Sequence, residues 1–125
     1  MNRMERMVLA SAAAAALALV SPTASRADAD AAKQEAQSIF ELRCTPCHGP
    51  KGAGDGPGSA GLTPKPRNFT DAEWQKSVND NHIETIIKFG GAAVGKSPAM
   101  PSNPDLMAKP DVVSALRQII RGFKK

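Results

Sequence analysis

Cys44-Thr45-Pro46-Cys47-His48 contains both cysteines of the chain and one of its two histidines. Few arrangements make use of such a string. A redox dithiol belongs in a βαβ setting, and no strand pattern flanks this one. A structural zinc site needs two more soft ligands, and there are no further cysteines. A disulfide closing so short a loop would constrain little of the unfolded chain. Covalent haem attachment accounts for both cysteines and the histidine. Thiols one helical turn apart can form thioethers with two vinyl groups, and the adjacent histidine meets the iron from the same side. The motif therefore predicts one covalently bound haem c, attached through Cys44 and Cys47, with His48 as an axial ligand of the iron.

An exported protein is the setting in which such chemistry belongs, and the N-terminus carries an export pattern. Arg3 and Arg6 precede an apolar, alanine-rich run from Met7 to Val20, and small residues follow at Ser25, Ala27 and Ala29. This is the layout of a secretory signal peptide, with cleavage after Ala27 or Ala29. The run is shorter than the roughly 20 residues a membrane-spanning helix requires. Residues 1–29 are thus expected to be removed, leaving 30–125 as one periplasmic domain with no membrane span. The full chain of 125 residues carries a formal charge of +4. Removal takes away Arg3, Arg6 and Arg26 with Glu5 and Asp28, leaving a mildly basic domain. Its lysines are scattered without aromatic interleaving, which argues against a nucleic-acid partner and for a solvated surface or weak steering toward an acidic protein.

Four phenylalanines, one tryptophan and no tyrosine make a thin core for a domain of this size, one that a large apolar cofactor would complete. Ala32, Ala36, Ile39 and Phe40 share one helical face, so a first helix is expected over Ala31–Arg43 with Asp30 as its N-cap. Gly49, Gly52, Gly54, Gly56, Gly58 and Gly61, followed by Pro64 and Pro66, exclude regular structure and predict a long, ligand-wrapping loop. Thr70 to Glu73 forms a capping-box pattern that opens a short helix bearing Trp74. Asn79 caps a further helix with Ile83, Ile86 and Ile87 on one face, ended by Gly90. Pro110 opens a last helix whose apolar face is Val113, Leu116, Ile119, Ile120 and Phe123. Gly90 to Ser97 satisfies a phosphate-loop string, but a helix precedes it and Pro98 follows, the reverse of the setting that loop needs. The two glycines instead suit close passage of backbone along the haem edge.

With Phe40 four residues before Cys44, the glycines after His48, and Ser97-Pro98-Ala99-Met100-Pro101, the chain resembles class I cytochromes c of the bacterial type. The resemblance implies an all-α cytochrome c fold in which the N- and C-terminal helices cross over a covalently bound haem. It implies Met100 as the second axial ligand and a proline carbonyl, from Pro66 or alternatively Pro64, that accepts the Nδ1–H of His48. Met107 is assigned to packing under the last helix, and His82 to a solvent face. Trp74, Arg67 and Ser97 are donors that could meet the haem propionates. The family commonly has an aromatic on the last helix about where Ile119 stands, so the crossing is expected to rest on aliphatic packing.

A histidine–thioether pair leaves the iron no open position, which suits electron transfer and not turnover. The expected function is a non-enzymatic carrier of single electrons between a redox protein donor and acceptor, each docked transiently. Two alternatives stand beside it: a haem subunit of a larger oxidoreductase, and an open-site haem sensor or enzyme.

Overall fold

The computed structural model describes residues 25–125, and these are helical with no strand. The export segment assigned to 1–29 therefore falls, up to residue 24, outside the described residues. Among the described residues five α-helices follow one another: α1 Arg26–Ile39, α2 Thr45–His48, α3 Ala72–Ser77, α4 Asp80–Phe89 and α5 Pro110–Gly122. No helix among the described residues is long and apolar enough to cross a membrane.

Helix α1 begins earlier than the apolar periodicity indicates. Its cap is Ser25, not Asp30: the Ser25 hydroxyl accepts from the Asp28 amide at 3.2 Å, while the Asp28 carboxylate accepts from the Ser25 amide at 3.1 Å. This reciprocal pair satisfies two donors that the first turn leaves free. Helix α3, in contrast, starts one residue later than its pattern suggests. Asp71 caps it, accepting from Glu73 and Trp74 amides, because Thr70 is already committed to the Asn68 side chain. Asn79 caps α4 as expected, its Oδ1 accepting from the His82 amide at 2.8 Å. Gly90 ends α4 at φ +79°.

The core lies where α1 meets α5, with Ala36, Ile39 and Phe40 packed among Val113, Leu116 and Ile120. Full burial of an aliphatic side chain of this size contributes about 1.5–3 kcal/mol. The crossing is not purely aliphatic. The Phe123 ring, one turn beyond Ile119, lies 5.5 Å from that of Phe40, while Ile119 is only partly buried. The turn at Pro104–Ala108 buries Leu106 completely and leaves Met107 53% exposed, so Leu106 takes the packing role that the sequence assigned to Met107. In so short a turn only one of two adjacent side chains can face inward, and the branched leucine occupies that position.

Candidate haem site

Pro46 shapes the cysteine segment. It lacks the N–H that would bond Leu42, and its ring would crowd that carbonyl in a regular helix. The chain widens instead into a π-helical turn over Phe40–Cys44, with the Thr45 amide and its hydroxyl both donating to the Phe40 carbonyl, the latter at 3.1 Å. Helix α2 resumes after this turn, and Cys44, Cys47 and His48 all face one cavity. Cys44 and Cys47 are not joined in a disulfide, and both sulfurs are left for attachment to a ligand in the cavity.

His48 is buried, with 8% of its surface exposed. Its Nδ1 lies 3.0 Å from the Arg67 carbonyl, which can only accept, so Nδ1 carries the proton and Nε2 keeps its lone pair. Burial lowers the His48 pKa and the Arg67 bond opposes that shift. The ring stacks on Phe69 with centroids 4.3 Å apart. The accepting carbonyl is thus one residue beyond the expected Pro66. The Pro66 carbonyl packs against Gly54, only 2.4 Å from where a β-carbon at that glycine would sit. The glycine-rich loop earns its length by turning back on α2: the Gly54 amide donates to the His48 carbonyl at 2.8 Å and the Gly56 amide to the Cys47 carbonyl at 3.1 Å. These are acceptors that a helix end leaves without intrahelical donors.

Met100 borders the same cavity, together with Ile83, Ile86 and Ile87 of α4. The Gly90-Gly91 pair seats its loop. The Gly91 amide donates to the Met100 carbonyl at 3.0 Å, and a β-carbon on Gly91 would lie 2.2 Å from the Ser97 carbonyl oxygen. What these glycines admit is therefore the backbone of the Met100 loop itself. Trp74 and Arg67 also line the cavity, the guanidinium lying 5.8 Å from the indole centroid, and Ser97 joins them. His82 is half-buried on the cavity side of α4, not on a purely solvent face.

The cavity has a volume of about 230 Å³. Its charged lining residues are Arg43, Lys65, Arg67 and Lys96, with no Asp or Glu among them. Two thiols, an imidazole nitrogen with a free lone pair and a thioether around an apolar space, with cations at the boundary, fit a haem: vinyl groups, iron and carboxylates each find a chemically matched partner. Among the described residues no group of three or more His, Cys, Asp or Glu is placed to hold a metal ion.

Two supports of the site carry no motif in the sequence. Gln75 is 5% exposed; its Nε2 donates to the carbonyls of Phe69 (2.8 Å) and Ile120 (2.9 Å), fixing the residue that stacks on His48. Asn103 joins the Met100 loop to α4. Each reaches a backbone carbonyl on another segment, Ile120 for Gln75 and Ile87 for Asn103, which no local spacing reveals.

Comparison with known proteins finds a family and a structural neighbour. A family model described as Cytochrome c matches residues 33–116. The solved structure of KustC0563 c-type cytochrome is 32% identical, with a TM-score of 0.54 over 72% of this chain and 98% of that one. A search of curated proteins finds no match.

Proposed function

Because the chain belongs to the cytochrome c family, whose members carry electrons on haem, we propose that it is an exported monohaem carrier of the class I type, with iron held between His48 and Met100. The observation that carries this reading is that the imidazole, oriented by the Arg67 carbonyl, and the Met100 thioether border one cavity with both cysteines. When bound, the haem supplies a one-electron ferric/ferrous couple.

The protein's own groups define the rest. Cys44 and Cys47 hold the group by thioether bonds. The Nδ1–H of His48 donates to Arg67, which keeps Nε2 aimed inward and makes it a stronger donor. Met100 supplies a soft sulfur that favours the ferrous state and raises the potential. Arg67 and Trp74 donate toward the propionates, and Pro66 acts by placing the Arg67 carbonyl beside it. Residues 1–29 act as the removable export segment that delivers the domain to the periplasm; cleavage after Ala27 or Ala29 takes the Ser25 cap with it and shortens α1 to begin near Asp30. Donor and acceptor proteins dock transiently at the cation-lined mouth, where electrostatic complementarity speeds encounter more than it strengthens binding.

The visible spectrum of the oxidised mature protein tests the ligand set. The expected result is a weak long-wavelength sulfur–iron charge-transfer band, lost in Met100→Ala, with carbon monoxide binding only the reduced variant. A native protein that lacks the band and takes up carbon monoxide would have an open site, and the carrier reading would give way to a sensor or enzyme.

A further inference from the structure

The Met100 loop is held by a residue at its far end. Asn103 donates through its backbone N–H to the Lys88 carbonyl at 2.9 Å and through Nδ2 to the Ile87 carbonyl at 2.8 Å. Both acceptors belong to the last turn of α4, whose carbonyls lack intrahelical donors, so Asn103 completes that helix end from a distant part of the chain. Its Oδ1 faces the other way and accepts from Arg43 Nη1 at 3.2 Å. The same Nη1 lies 3.0 Å from each carboxylate oxygen of Asp105. Arg43 directly precedes Cys44. One guanidinium therefore bridges the wall that bears the cysteines and the loop that bears Met100, and Arg43 and Asn103 both line the cavity.

We propose that Arg43, Asn103 and Asp105 form a clasp that keeps Met100 seated, and that opening of this clasp limits how fast a small exogenous ligand reaches the distal side of the haem. The inference rests on the reading of Met100 as axial ligand. The clasp has two unequal halves. The Arg43–Asp105 pair is about half exposed, at 45% and 47%, and is weakened by salt. The Asn103 bonds to α4 are partly buried and neutral, so salt leaves them in place. Opening is then partly salt-sensitive, and the salt-sensitive part belongs to Arg43.

Stopped-flow binding of imidazole to the ferric holoprotein, read alongside the sulfur–iron band, tests this. Asn103→Ala should raise the association rate about tenfold, equivalent to about 1.4 kcal/mol of lost closure, and weaken the band. Arg43→Gln, at a half-exposed position that keeps the fold intact, should raise the rate severalfold and abolish the acceleration that about 1 M salt produces in the native protein. Arg43→Lys should restore part of the salt response. Native rates in both Asn103→Ala and Arg43→Gln, with the band unchanged, would overturn the clasp while leaving Met100 as ligand. Absence of the band from the native protein would instead remove the ligand reading, and the clasp with it.

Discussion

A single carbonyl decides which nitrogen of His48 is free, and a single glycine decides where that carbonyl lies. Gly54 sits at φ +77° with the Pro66 oxygen 2.4 Å from where a β-carbon would stand, and its own amide donates to the His48 carbonyl. Gly61 has nearly the same φ, +76°, but open space around it. The two separate backbone conformation from collision. Gly61→Ala should cost about 1 kcal/mol, the conformational penalty alone. Gly54→Ala should cost roughly 2–3 kcal/mol more, because backbone must move at Pro66 and Arg67. Guanidinium unfolding of the ferric holoprotein measures both, and equal losses would show that the Pro66 contact carries no energy. Glycine enrichment in this loop is visible in the sequence, but not which glycine is irreplaceable, since that depends on the strand of chain crossing it.

Among the helices, α4 and α5 are joined by charge as well as by apolar packing. Asp80, in the first turn of α4, pairs with Arg117 and Arg121 of α5, and Arg121 also donates to Gln75 Oε1 at 2.9 Å and to the Val78 carbonyl at 2.8 Å. The Arg121 hydrogen bond, aided by the charge of Arg117, holds the Asp80 carboxyl below its ordinary value. A carboxyl depressed on folding contributes stability above its unfolded pKa and loses it as pH falls through the folded value. Asp80→Asn should therefore lower the urea midpoint at pH 7, with the gap from native shrinking as the medium is acidified below the ordinary carboxylate range. A gap that persists unchanged in acid would assign the loss to packing. Helices α1, α3, α4 and α5 were legible from apolar spacing, the Thr70–Glu73 capping pattern, Asn79, Gly90 and Pro110, whereas the short α2 was not. The caps of α1 and α3 were not, because several polar residues compete at each start and the choice turns on which side chain is already engaged.

At the scale of the molecule, the charged residues lining the cavity are all cations; Arg43 among them is paired with Asp105, which leaves Lys65, Arg67 and Lys96 to set the field at the mouth, while Glu35 is drawn to Lys109 away from it. This asymmetry gives the cavity mouth a positive field that a mild overall charge conceals. With an acidic redox protein as partner, Lys65→Glu combined with Lys96→Glu should slow bimolecular electron transfer roughly tenfold at low ionic strength, and the difference should fade as the Debye length drops below about 10 Å. Lys33→Glu, on α1 and paired with Asp30, should change the rate far less. Equal effects from all three positions would mean that net charge, not the mouth, steers the encounter.

Covalent and local features were readable from neighbouring residues: the attachment string, the helical periodicities, the glycine loop and a methionine placed between prolines. Each follows from chemistry within a few residues, where spacing alone is informative. It took the packed fold to show that Arg67 and not Pro66 accepts from His48, that Phe123 meets Phe40, that Leu106 is buried while Met107 is exposed, and that Asn103 ties the Met100 loop to Arg43 and α4. Each of these is a contact between segments far apart in the chain, and its partner is fixed by how the helices pack rather than by the residues on either side.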